Sequence, residues 1–257
     1  MGGFNPQYYN PNALATTFSF ETADALTAAT ADSSLQDLAI TRRADLTTQR
    51  GDIHAVSSGD GTKAYVAGGY SGMCQPLTSA EVYDFDKDAW TSAGNLLQAR
   101  GDGAMVEASG TIFSIGGEVN HPDQCAVPEL VPPLAHQSLA VSDVEALEYS
   151  ATSTAAPVEW ADVADIPEFR FRFSAASWPE TGVAYAFGGQ TSFDESCKCF
   201  PTTDEITAID SATILDDAAA GSMNSGEDNA IVSAAPAKAF VVAMVSAALV
   251  ASSMVVV

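Results

Sequence analysis

The chain has 257 residues, 33 acidic against 10 basic for a formal charge of −23, and 47% of its residues are hydrophobic. The length suits one large domain or two small ones, and the apolar share is enough for a buried core. So acidic a surface repels phosphate backbones, which argues against nucleic-acid binding, and it suits cations or basic partners. Four cysteines and three histidines (His54, His121 and His136) are thin material for a disulfide scaffold, zinc knuckles or a metal site.

The chain opens on "MGGFNP", which has neither the basic region nor the apolar run of a signal peptide. It starts like a myristoylation site, but Pro6 stands where Ser or Thr is needed. Gly2-Gly3 reads as the end of a strand in an incomplete first unit. A long loop, "FNPQYYNPNALATTF", follows, and "SSLQDLAITRRADLTTQR" holds that unit's last strand and leads to Arg50.

From Arg50 a pattern repeats. "RGDIHAVSSGDGTKAYVAGG" predicts a strand, a turn and a second strand ending at Gly68-Gly69. After a loop with Cys74, "EVYDFDKDAW" predicts two more strands, marked by Tyr83 and Trp90. Arg100 opens the next unit, "RGDGAMVEASGTIFSIGG", which ends at Gly116-Gly117. An insertion, "EVNHPDQCAVPELVPPLAHQSLAVS", carries Cys125, and "DVEALEYSATSTAAPVEW" closes the unit with Tyr149 and Trp160. A third unit runs from Arg172 through "AYAFGG" to Gly188-Gly189, then Cys197 and Cys199, then "DEITAIDSATILDD" without Tyr or Trp.

The spacing supports repetition. Arg100 precedes Gly116 by sixteen positions, Arg172 precedes Gly188 by sixteen, and Arg50 precedes Gly68 by eighteen. The chain holds only six arginines, so three in register point to a common corner. Glycine pairs fit where backbones crowd or φ is positive, and a tryptophan fits as a buried plate between sheets.

These units resemble kelch repeats, the four-stranded blades of a β-propeller. The resemblance is carried by Gly68-Gly69, Tyr83 and Trp90, by Gly116-Gly117, Tyr149 and Trp160, and by Gly188-Gly189; it covers Arg50 to Asp217. Gly68 to Gly116 is 48 positions, near the family's period, and Gly116 to Gly188 is 72 because of the insertion. The resemblance implies an all-β, kelch-type β-propeller. Its expected parts are a partial first blade (1–49), blades at 50–98, 99–168 and 169–217, a stalk (218–238) and an apolar tail (239–257) expected as a helix. Propellers close with about four to eight blades. Three blades and a fragment therefore read as an incomplete product lacking N-terminal blades and a signal peptide, with closure by self-association as the alternative.

The repeat also interprets the two Arg-Gly-Asp triplets, at Arg50 and Arg100, as structural corners rather than adhesion motifs. Asp84, Asp86 and Asp88 have the spacing that opens a calcium loop, but its Gly and bidentate Glu are missing, so a turn is expected. Cys74, Cys125, Cys197 and Cys199 each follow a Gly-Gly pair, which puts them on one rim of the propeller. Disulfides there would imply an oxidising compartment; four cysteines allow three pairings, and Cys197 with Cys199 is not the first choice because they are so close.

The tail has its own pattern. Asn224-Ser225-Gly226 are small, Glu227 to Lys238 form a spacer, and "AFVVAMVSAALVASSMVVV" runs uncharged to Val257. That order is expected of a glycosylphosphatidylinositol-attachment signal, with attachment at Asn224, Ser225 or Gly226. A retained membrane helix is the alternative. No Asn-x-Ser/Thr sequon is present.

The expected function is a cell-surface or secretory-pathway scaffold that binds protein or glycan partners through rim loops, with no cofactor and no catalytic residues assigned. One alternative is a carbohydrate-active propeller enzyme, similar to galactose oxidase or to sialic-acid epimerases, with its site in blades outside the chain. The other is an intracellular kelch adaptor.

Overall fold

Short alternating strands joined by tight turns produce antiparallel meanders. The computed structural model describes residues 13–20, 40–72, 75–120, 138–149, 159–178, 181–211 and 233–234. β1 (Thr17–Phe20) and β2 (Ile40–Arg43) form a two-stranded sheet. β3 (Ala55–Ser57), β4 (Lys63–Ala67), β5 (Ser79–Asp84) and β6 (Ala89–Asn95) form the first four-stranded blade. β7 (Ala104–Ala108), β8 (Thr111–Asn120), β9 (Ser138–Glu148) and β10 (Ala161–Val163) form the second. β11 (Ser174–Trp178), β12 (Val183–Phe187), β13 (Ile206–Asp210) and β14 (Ser233–Ala234) form the third. In each blade the strands lie in chain order, and the first strands β3, β7 and β11 sit side by side. This is the arrangement of a kelch-type β-propeller.

Turn chemistry sets the register. Ser109 and Gly110, with φ of 53° and 83°, form the two-residue turn between β7 and β8. Positive φ at both positions matches the right-handed twist of the flanking strands.

Burial shows how the blades stack. Ala64–Ala67 of β4 and Thr111–Glu118 of β8 are buried on both faces, because each blade is sandwiched between neighbours. One core joins Val144, Phe113 and Ile115 of the second blade to Ala184, Ala186 and Ile209 of the third. Another joins Tyr65 and Leu96 to Ile112, Leu147 and Trp160. A third joins Val66, Tyr83 and Trp90 to Leu46. In β12, by contrast, Ala184 and Ala186 are buried while Val183, Tyr185 and Phe187 are half-buried. That strand packs its buried face on the second blade.

One strand departs from expectation. Ser233–Ala234 lies in the stretch read as a stalk, yet it pairs with β13, Ala234 opposite Ile206 and Ser233 opposite Thr207. Strand pairing uses backbone groups, so small residues can join a sheet without an alternating apolar pattern. The expected helix at 239–257 and the candidate attachment residues Asn224, Ser225 and Gly226 lie outside the described residues. Among the described residues no helix is long and apolar enough to cross a membrane.

Candidate functional site: the clamped corner face

The connection from each fourth strand to the next blade's first strand turns a corner around a buried arginine. Arg50 Nη1 donates to Gly68 O (2.7 Å) and Ser79 O (2.8 Å), and Nη2 donates to Ser79 Oγ (2.9 Å) and Glu81 Oε1 (2.8 Å). Arg100 repeats this with Gly116 O (3.4 Å), Asp143 O (2.9 Å) and the Glu145 carboxylate. The third such residue is Arg170, not Arg172. Its Nη1 donates to Gly188 O (3.3 Å) and Glu205 O (3.4 Å), and its Nη2 to Thr207 Oγ1 (2.9 Å). Arg50, Arg100 and Arg170 are all buried, whereas Arg172 is exposed.

The buried glutamates close the same corners from the third strand. Glu81 Oε2 accepts from Thr47 N (2.7 Å) and Thr47 Oγ1 (2.6 Å), and Oε1 accepts from Thr48 N (3.0 Å). Glu145 accepts from Leu97 N (2.6 Å) and Gln98 N (3.3 Å). Burial pushes the Glu81 pKa up, but hydrogen bonds from Thr47 and Arg50 outweigh it and hold the carboxyl below its usual range. Burial lowers the Arg50 pKa, and Glu81 opposes that shift. A buried ion pair survives only when its remaining hydrogen-bond capacity is filled in this way. Neither glutamate was singled out from the sequence, although Glu81 lies two residues before Tyr83 in "EVYD" and Glu145 sits in "DVEALEY".

Arg172 belongs to a different set. Asp52, Asp102 and Arg172 have φ of 52°, 53° and 51° at matching steps of the three blades. Asp102 N donates to Asp52 O (3.0 Å) and Arg172 N to Asp102 O (2.8 Å), so the backbones link successive blades beside the inner strands. Burial, then the neighbouring Asp102 charge, raises the Asp52 pKa to about 6, and Arg172 opposes the shift.

The glycine pairs bring blades together. Gly68, Gly69, Gly116, Gly117, Gly188 and Gly189 all have positive φ. Gly69 N donates to Arg100 O (2.8 Å) and Gly117 N to Arg170 O (2.9 Å), each reaching the next blade's corner. A Cβ on Gly68 would lie 2.4 Å from Arg100 O. Only glycine tolerates so close an approach.

The tryptophans also bridge units. Trp90 Nε1 donates to Ala44 O (3.1 Å) and Trp160 Nε1 to Ala93 O (2.9 Å). Tyr83 packs on Trp90 at 5.1 Å between ring centres. Tyr149 does not occupy the corresponding place. Leu147 pairs with Ile112 as Tyr83 pairs with Ala64, so Tyr149 falls two residues later. Its hydroxyl accepts from Gly59 N (2.6 Å) and donates to Glu107 Oε1 (3.0 Å).

The remaining candidates separate. Asp84 Oδ1 accepts from Asp86 N and Lys87 N at 3.1 Å, and Asp88 Oδ1 accepts from Ala44 N and Tyr83 OH. Asp84 thus holds the β5–β6 turn, and Asp88 ties that turn to the backbone after β2. Among the described residues no cluster of three or more His, Cys, Asp or Glu could hold a metal ion. His54 lines a cavity of about 10 Å³ with Arg100 and Met105, room for a single water rather than a ligand. His121, His136, Cys74 and Cys125 lie outside the described residues. Cys197 and Cys199, not the first choice from the sequence, form a disulfide with Cα atoms 5.3 Å apart. That separation lies within the range disulfides require, and the left-handed Lys198 between them, φ 55°, turns the chain back to provide it.

The meander order puts the arginine corners and the loops after the glycine pairs on one face. Leu97, 64% exposed, and Phe169, 58% exposed, stand there beside the buried Arg100 and Arg170. Leu139, 43% exposed, lies at the start of β9 on the same face. Phe85, in the β5–β6 turn, is exposed on the opposite face.

Comparison with known proteins adds to this geometry. The Kelch motif matches residues 54–97. A stretch of 53 residues is 42% identical to the Kelch repeat and BTB domain-containing protein F47D12.7 of Caenorhabditis elegans, covering 21% of this chain and 9% of that protein. A stretch of 65 residues is 31% identical to Kelch-like protein 26 of Danio rerio, covering 25% of this chain and 11% of that protein. The matches thus span only a small part of these relatives' length. The solved structure of YjhT aligns with a TM-score of 0.54 at 13% identity, covering 81% of this chain and 63% of that one. At that identity the likeness shows a shared fold.

Proposed function

We propose that this chain, whose residues 54–97 match the Kelch motif, is a protein-binding propeller scaffold that engages its partner through the corner face. The observation that carries this reading is the exposure of Leu97 and Phe169 directly beside clamped corners. Aromatic side chains such as Phe169 are enriched in interfaces, and loops held by a rigid scaffold commonly carry the contacts. The charge of −23, with Asp52 and Asp102 on the same face, favours a partner with a basic surface. Exposed leucine and phenylalanine suit a protein better than a glycan.

Placement at the cell surface extends the proposal. The order of small residues, spacer and apolar run from Asn224 to Val257 supports a lipid anchor. Phospholipase specific for phosphatidylinositol would release the protein from intact cells; retention of peptides from 239–257 in the mature protein would overturn the anchor.

The binding reading is tested by face. Proteins captured from cell extract by the wild-type chain are challenged with the L97S/F169S and F85S variants. Capture is lost with L97S/F169S and kept with F85S. Equal capture by both variants would contradict the proposed face.

A further inference from the structure

The loop between β12 and β13 is a small hairpin. Gln190 bridges Phe171 on one side and Thr202 on the other, and Thr191 N donates to Pro201 O at 2.9 Å. Its tip is closed by the Asp194–Cys199 bridge and by the disulfide between Cys197 and Cys199. Both cysteines are exposed. We infer that this disulfide is a thiol–disulfide exchange site, reduced in the folded protein by glutathione-type thiols, and that its opening loosens the hairpin from the corner face. The inference does not depend on partner binding.

Three observations carry it. First, the sulfurs sit on an exposed hairpin tip, where an attacking thiolate has access, and exposed disulfides are the labile ones. Second, the closed loop holds a single intervening residue, Lys198. So short a loop restricts the unfolded chain little, and folding adds little resistance to reduction. Third, Lys198 is held left-handed, with φ 55°. That conformation is costly for a side chain with a Cβ, so reduction lets Lys198 relax and opposes re-closure.

The hairpin is also positioned to transmit the change. Phe200, next to Cys199, packs edge-on against Phe193 and Phe171, each with ring centres 5.3 Å apart. The Arg172 guanidinium lies over Phe171 at 5.3 Å and donates to Asp102 Oδ2 at 3.0 Å. The disulfide is therefore one residue from an aromatic contact that leads to the axial Arg172–Asp102 pair.

The chemistry balances with two thiols. One thiolate attacks a cysteine sulfur, breaks the S–S bond and forms a mixed disulfide, releasing the other cysteine as a thiolate that takes up a proton. A second thiol then attacks the mixed disulfide, releasing the remaining cysteine and leaving as oxidised glutathione. Two electrons pass from the two glutathione thiols to Cys197 and Cys199.

The test treats the folded full-length chain, in detergent, with reduced glutathione, alkylates it and measures peptide mass and amide hydrogen exchange. The peptide bearing Cys197 and Cys199 gains two alkyl groups while exchange in β12 and β13 stays unchanged. Exchange over residues 199–203 rises, and oxidised glutathione reverses both effects. The C197S/C199S variant shows the raised exchange without thiol and no further response to it. Should that variant not fold, C199S leaves a lone Cys197 thiolate that attacks oxidised glutathione, forming a mixed disulfide and releasing one glutathione thiol, and mass reports the adduct directly. Labelling only in denaturant, or labelling accompanied by loss of protection in β12 and β13, would overturn the exchange site. Unchanged exchange at 199–203 after reduction would overturn the coupling.

Discussion

Arg172 is held to Asp102 twice, through its backbone N–H to Asp102 O at 2.8 Å and through its Nε to Asp102 Oδ2 at 3.0 Å. Both contacts join neighbouring blades at the inner strands, while the buried corner behind them is filled by Arg170. Two arginines two positions apart thus have unrelated duties, and substitution separates them. Arg172→Ala removes a half-exposed ion pair and costs less than about 1 kcal/mol. Arg170→Ala strips Gly188 O, Glu205 O and Thr207 of a buried donor and leaves a cavity, costing about 3 kcal/mol or more. Chemical denaturation of the two variants checks the ranking; equal losses would contradict it.

Spacing from the glycine pair points to Arg172, whereas Arg170 fills the corner. Counting back from Gly188 by sixteen finds Arg172, because the second blade has a shorter β7–β8 turn. Counting forward from tryptophan is better. Trp90 to Arg100 is ten positions and Trp160 to Arg170 is ten, since no insertion falls between fourth strand and corner. Tyr149 is offset for a related reason: Leu147 holds the aromatic position, and the nearest tyrosine lies two residues further along. The glycine pairs and tryptophans were legible because crowding and large buried rings restrict the residue type. Glu81 and Glu145 were not, since an acidic chain offers many glutamates and only contact with Arg50 and Arg100 distinguishes these two. The apolar anchors Leu97 and Phe169 look like core residues in sequence, and only the fold turns them outward.

Glycine substitutions grade the blade contacts. Gly68 and Gly188 have similar φ, 66° and 58°, so alanine at either pays about 1–2 kcal/mol of backbone strain. A Cβ at Gly68 also meets Arg100 O at 2.4 Å, whereas at Gly188 the contact is Thr203 O at 3.2 Å. Gly68→Ala is therefore the more destabilising, and its thermal midpoint falls further than that of Gly188→Ala. The reverse order would show that the first and second blades do not approach through this pair.

Asp52 gives a pH dependence with a definite sign. Its folded pKa, about 6, lies above the unfolded value near 4. Its stabilising share is fully present below pH ~4 and is lost as pH rises through about 6, because the folded state then binds more protons than the unfolded one. The side chain is partly open to water, so screening limits the effect to under about 1 kcal/mol. Asp52→Asn removes the ionisation, and its stability relative to wild type increases between pH 4 and pH 7. A difference that does not vary across this window would refute the assignment.

Where a bound partner protects the propeller from amide hydrogen exchange is the most direct measurement of the central claim. Binding through the corner face protects residues 47–52, 97–102 and 167–172, and leaves the β3–β4, β5–β6 and β7–β8 turns on the opposite face exchanging as in the free chain. Protection confined to those turns, with the arginine corners unchanged, would contradict binding through this face.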